Sequence, residues 1–122
     1  QQQGHTVLDR GCDSADRVDY PDFALPVAQD VAAGEAERGV LVCGTGIGMA
    51  LAADKVAGVR AANIITPQFA ALCREHNDAN VITLSGRFVS FEVNCEILDT
   101  FLSTEFGGGR HAGRVEKIMS LD

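Results

Sequence analysis

The sequence predicts an α/β fold, a doubly wound parallel sheet with helices on both faces. Short apolar runs alternate with longer segments of helical period along the whole chain. One of those runs, residues 39–44 (GVLVCG), is apolar without interruption, as in a strand buried on both faces. A glycine-rich turn follows it at the strand's carboxyl end, where ligands collect in such folds. The 122 residues fit one domain, 1–122, with a single core and a Rossmann-like arrangement.

Taken in order, residues 5–9 (HTVLD) read as a short strand and 10–22 as a polar loop. A helix over 23–37 puts Phe23, Val27 and Val31 on one face. Pro26 removes a backbone donor inside it, so a kink, or a helix that starts at Pro26, is expected. Residues 39–44 form the next strand, and 47–58 a helix stopped at Gly58. A strand over 59–66 leads to Thr66-Pro67, a capping hydroxyl followed by a proline suited to the first helical position. The helix runs over 67–77, and 80–86 is another strand. Ser90 caps a helix over 91–106 with Ile97, Leu98, Phe101 and Leu102 inward. Residues 107–114 (GGGRHAGR) read as a loop and 115–122 as a short last helix. No internal repeat or low-complexity tract interrupts this order.

Composition excludes several classes. The formal charge of −7 argues against a nucleic-acid surface, though a few local arginines can still bind a small anion. No apolar run is long enough to span a bilayer, and the first residues have neither the basic nor the apolar region of a signal peptide. Cys12, Cys43, Cys73 and Cys95 are widely spaced, which supports neither a zinc site nor a disulfide framework. A reducing cytoplasm is the simplest setting. Cys73 and Cys95 fall inside helices and read as packing residues.

The chemistry concentrates at residues 43–48 (CGTGIG). Gly44, Gly46 and Gly48 permit positive φ and close approach of a ligand to the backbone. They match neither a Walker loop nor the dinucleotide spacing. Free amides at the start of the following helix suit an anion, or an oxyanion formed during reaction. Cys43 abuts that helix start, a setting that favours thiolate, and Thr45 is close enough in sequence to hydrogen-bond the sulfur. His76, in residues 73–80 (CREHNDAN), is expected near another carboxyl-end loop. Taken alone it reads as a surface histidine at a helix end, and Asn77 and Asn80 as turn residues. Arg110, His111 and Arg114 cluster after three glycines, Arg87 follows residues 84–86 (LSG), and arginines grip phosphate by paired hydrogen bonds. His5 and Cys12-Asp13 read as minor surface features.

Together, residues 18–24, 40–55, 74–81, 85–87 and 107–118 resemble the type B ribose-5-phosphate isomerases and the related galactose-6-phosphate isomerases, in order from about His5 to the C-terminus. The resemblance implies a doubly wound sheet, no metal or other cofactor, and a homodimer or homotetramer whose site is shared between subunits. It implies that Cys43 is the base moving a proton between C1 and C2 of a sugar phosphate, helped by Thr45. The amides of Gly44, Gly46 and Gly48 would hold enediolate oxygens. His76 would open the furanose ring and Asn77 bind sugar hydroxyls. Arg87, Arg110 and Arg114 would grip phosphate, and Tyr20 would line the pocket. Met49 stands where some relatives carry a catalytic glutamate, so the chain resembles the cysteine-dependent branch. Ala50 stands where relatives often carry serine.

The family's order begins with a strand, a loop bearing an Asp-His pair and a helix. Nothing in the chain corresponds, so this N-terminal strand–loop–helix is expected to be missing. Residues 11–14 (GCDS) lie later in the family's order and do not replace it. The expected activity is exchange of ribose 5-phosphate and ribulose 5-phosphate in the pentose phosphate pathway. Rival expectations are an isomerase of a six-carbon phosphate such as allose or galactose 6-phosphate, a sugar-phosphate-binding domain without turnover, and a generic flavodoxin-like ligand-binding domain.

Overall fold

The structure, a computed structural model, describes residues 4–11 and 19–122. Cys12 and Asp13 lie outside the described residues. The order is α1 (Pro21–Ala32), β1 (Gly39–Cys43), α2 (Ile47–Ala53), β2 (Ala61–Asn63), α3 (Pro67–Glu75), β3 (Val81–Ser85), α4 (Phe91–Ser103) and α5 (Arg110–Met119). The three strands form one parallel sheet in the order β1-β3-β2. Gly39 pairs with Val81 and Cys43 with Ser85, while Ala61 and Asn63 pair with Val81 and Thr83. Among the described residues no helix is long and apolar enough to cross a membrane.

All five residues of β3 are buried, because the strand is central and covered on both faces. Side chains alternate across the pleat and so feed two cores. Leu41 and Val81 join Ala24, Ala28 and Val31 of α1 and Met49 and Ala53 of α2. Ile82 and Leu84 join Ala70 and Cys73 of α3 and Ile97 and Phe101 of α4 on the other face. This is the expected doubly wound arrangement. The helix starts at Thr66 and Ser90 also follow the sequence: each hydroxyl accepts a backbone N–H three residues on, at 3.2 Å.

Arg74 braces the second face. It is 5% exposed, and donates to the Thr104 carbonyl at 3.0 Å, to Asp78 at 2.8 Å and to the Ala79 carbonyl at 2.7 Å. Arg38 donates to the Phe101 and Thr104 carbonyls from the other side. Two guanidinium groups thus take up carbonyls at the open end of α4 and set the path of the chain beyond it.

Several expectations are corrected. Residues 5–9 form no strand, and Val7 and Leu8 are about half exposed. A strand needs a neighbour to pair with, and among the described residues none reaches this segment. It is instead tied to α1 through Arg10 and Asp30 at 2.8 Å. Helix α1 begins at Pro21 and passes through Pro26 rather than starting there. The acceptor that Pro26 leaves unpaired is the carbonyl of exposed Asp22, which water can reach. The helix ends at Ala32, before Gly34 at φ +80°. Helix α2 stops at Ala53, well before Gly58. Asp54 is its C-cap, and the carboxylate accepts the Ala61 N–H at 2.7 Å where β2 starts. Residues 110–114 are the first half of α5, not a loop; only the glycines before them, with Gly108 and Gly109 at positive φ, are irregular. Cys73 is buried, and burial pushes its thiol up to about 11, which suits a packing residue. Cys95 is exposed on α4 and is not a packing residue.

Helix α1 lies close to β1 at Gly39, which has no side chain. A Cβ at Gly39 would stand 2.8 Å from Val27 and about 3.1–3.2 Å from Val81 and Val31. Gly39→Ala is therefore expected to destabilise the fold by about 1–3 kcal/mol through overpacking, read as a lower urea midpoint at unchanged slope. Ala at the exposed Arg10, which pairs with Asp30, should cost far less.

Candidate active site

Cys43 closes β1 beside Ser85, which closes β3. The chain then turns through Gly44, Thr45 and Gly46 into α2. Gly46 is at φ +88° and ψ −12°, a left-handed conformation that favours glycine. A Cβ there would also meet the Leu84 carbonyl at 3.0 Å and the Thr83 hydroxyl at 3.1 Å, so glycine is required twice over. The Gly46 N–H donates to Cys43 Sγ at 3.1 Å. Thr45 does not bond the sulfur as expected; its Oγ1 accepts the Ile47 N–H at 3.1 Å.

The turn is anchored from the sheet. Ser85 Oγ donates to the Gly44 carbonyl at 2.7 Å and accepts the Phe88 N–H at 2.9 Å. Arg87 N–H reaches the same Gly44 carbonyl at 3.2 Å. Asn63 Nδ2 donates to the Thr45 carbonyl at 3.0 Å. The Tyr20 ring lies against Gly48, where a Cβ would stand 2.6 Å from it, and the Arg87 guanidinium stands 3.9 Å from the place of a Gly44 Cβ. Tyr20, residues 43–48 and Arg87 therefore gather at the carboxyl end of the sheet. Sequence reading passed over Ser85 and Asn63. The available signal was a polar side chain at the carboxyl end of each of two short apolar strands.

His76 lies elsewhere. In a parallel sheet each connecting helix runs back against the strands, so the end of α3 is at the amino edge. His76 is the C-cap of α3 and precedes β3. The length of β3, roughly 13 Å, separates this edge from Cys43. The expectation that His76 sits near a carboxyl-end loop is corrected accordingly. At its own edge the His76 ring stacks on His111 of α5, with centroids 4.3 Å apart and planes at 18°. Arg110 and Arg114 belong to the same helix. The His111 imidazole titrates below its usual range: lost hydration comes first, then the positive charges of His76, Arg110 and Arg114.

An open cavity of about 710 Å³ lies here, bounded by Glu75, His76, Thr104, Phe106, Gly107 and His111. Its wall is the segment that Arg38 and Arg74 hold, and Gly107 N–H adds a bond to the Glu75 carbonyl at 3.1 Å. Asn77 borders a smaller apolar hollow of about 260 Å³ with Phe69, Leu72 and Cys73. One chain thus presents two polar clusters at opposite ends of the sheet: a thiol with its glycine turn, and a histidine pair with two arginines.

The family model described as Ribose/Galactose Isomerase matches residues 1–118. Ribose-5-phosphate isomerase B of Escherichia coli is 44% identical over 121 residues, covering 99% of this chain and 81% of that protein. The structure of Clostridium thermocellum ribose-5-phosphate isomerase B superposes with a TM-score of 0.96 at 48% identity, over 98% of this chain and 81% of that one. Ribose-5-phosphate isomerase B from Mycoplasma genitalium, solved with bound ribulose-5-phosphate, gives 0.95 at 44% identity, over 98% and 80% of the two chains. A match that spans nearly the whole sequence, at this identity and on the same backbone, means that the chain belongs to the ribose/galactose isomerase family.

Proposed function

We propose that the chain interconverts ribose 5-phosphate and ribulose 5-phosphate through an enediolate, with Cys43 as the base. The observation that carries this is a thiol held at the mouth of an amide-lined turn, with the Gly46 N–H on its sulfur at 3.1 Å. Aldose–ketose exchange needs a base next to a carbonyl and donors for the oxygen that becomes negative. The Cys43 sulfur takes the proton from C2 of the aldose and returns it to C1, while the hydroxyl proton passes from O2 to O1. Amides of Gly44 and Gly48 steady the negative oxygens, the Gly46 N–H holds the sulfur, and Thr45 assists at the turn. Tyr20, seated on Gly48, lines the pocket.

His76 opens the furanose by giving a proton to the ring oxygen as the anomeric hydroxyl loses one. Asn77 binds sugar hydroxyls, and Arg87, Arg110 and Arg114 hold the phosphate. The reaction requires no cofactor or metal. Because the two clusters lie at opposite sheet edges, a homodimer, alone or within a homotetramer, completes each site with Cys43 from one copy and His76, Arg110 and Arg114 from the other. Among the described residues Cys43, Cys73 and Cys95 are free thiols, which suits a reducing cytoplasm, and the substrate pair belongs to pentose phosphate metabolism. A six-carbon phosphate such as galactose 6-phosphate is the second reading, favoured by the breadth of the family description.

Three outcomes are expected. Cys43→Ala lowers kcat about a hundredfold to ten-thousandfold while calorimetry still detects ribose 5-phosphate binding; turnover at the parent rate would exclude the thiol as base. Cys43→Ala and His76→Ala chains, each inactive, regain about a quarter of the parent activity when dissociated and reassociated together, since half of random dimers carry one intact site. No recovery in proven mixed dimers would mean that both groups act within one chain. Finally, kcat/KM for ribose 5-phosphate exceeds that for allose or galactose 6-phosphate by at least about tenfold, and the reverse order in a direct comparison would select the second reading.

A further inference from the structure

We infer that Asn63 is a positioning residue of the isomerase site: its carboxamide holds the Thr45 carbonyl and thereby turns the Gly46 N–H onto the Cys43 sulfur. The inference rests on the isomerase reading above for its kinetic consequence, and on geometry alone for the rest. Thr45 C=O and Gly46 N–H belong to one peptide unit. In a planar trans peptide these two groups point in opposite directions. Whatever holds the carbonyl therefore aims the N–H. Asn63 Nδ2 holds it at 3.0 Å, and Gly46 N–H meets Sγ at 3.1 Å on the far side.

The anchor is itself fixed. Asn63 closes β2, and its Nδ2 lies 3.1 Å from the Thr83 hydroxyl and 3.3 Å from the Thr83 carbonyl. Thr83 is fully buried in the central strand. Two of the three oxygens around that carboxamide atom are carbonyls, which can only accept, and this identifies the atom as the nitrogen. The preceding peptide unit is set in the same way. Ser85 Oγ holds the Gly44 carbonyl at 2.7 Å, so the Thr45 N–H of that unit also faces away from the sheet. Two neighbouring strands thus fix two successive peptide planes. Gly46 completes the device, because any Cβ at that position would collide with Asn63 and Thr83.

A donor turned away from its target loses its catalytic value even when the site remains occupied. The test uses the full chain with Asn63→Leu and Asn63→Asp. The first removes the donors at similar volume, and the second sets carboxylate oxygens against the Thr45 and Thr83 oxygens. Asn63 is only partly buried, so both variants should fold. With ribose 5-phosphate, kcat is expected to fall about tenfold to a hundredfold in Asn63→Leu and further in Asn63→Asp. KM should stay within about threefold of the parent. Amide hydrogen exchange should accelerate at Gly46 but not in β3. Unchanged kcat, or unchanged Gly46 exchange, would overturn the inference. So would a loss in which KM, melting temperature and exchange across the sheet all move together, since that pattern marks a merely structural residue. If the parent chain proves inactive on ribose 5-phosphate, the isomerase reading fails on its own, and exchange at Gly46 still decides whether Asn63 sets the turn.

Discussion

Parallel pairing of β1 with β3 is the constraint on which the rest depends. It brings Cys43 and Ser85 to the same sheet edge in register, and it places Thr83 one pleat below, where Asn63 of β2 can reach it. The glycine turn is short and has little stability of its own. Its shape comes from side chains of two strands that do not contain it. The strands keep their places because β3 is sealed on both faces by helices, with Val81 turned to one core and Ile82 and Leu84 to the other. Order in the site is thus inherited from the core, through two short hydrogen-bonded chains.

The same parallelism divides the polar residues. Helices that connect parallel strands must run back, so residues at strand ends and residues at helix ends appear at opposite edges. Cys43, Tyr20 and Arg87 fall at one edge; His76, His111 and Arg110 fall at the other. A single copy of this fold cannot close a small substrate between the two groups, and the proposed mechanism therefore calls for two copies. The brace formed by Arg38 and Arg74 belongs to this logic. It shapes the wall of the histidine cavity while serving as the cap of α4.

Much of the fold was legible because the sequence marks it locally. The apolar run at residues 39–44, the caps at Thr66 and Ser90, and the inward stripe of α4 depend on near neighbours only. Errors arose where distant contacts decide. Residues 5–9 have strand composition but no described neighbour to pair with. Helix α2 ends at Ala53, and its cap Asp54 is bonded by Ala61 of β2, a contact no helical pattern reveals. The glycines before Arg110 suggested a loop, yet they end an irregular segment rather than begin one. In the site, Cys43 and its glycines stood out by composition. Asn63 did not, since its importance lies in which peptide it touches. The position of His76 was misjudged because proximity along the chain was taken for proximity to a strand end.

The stacked imidazoles bear on how an anion would be gripped. Lost hydration, and after it the charges of His76, Arg110 and Arg114, disfavour a proton on the His111 ring. Its ring offers a flat face, on which His76 stacks. The attraction at that edge falls to guanidinium groups, which stay ionised at any physiological acidity. Such a cradle would owe its pull to α5, the helix that carries both arginines and one ring of the stack.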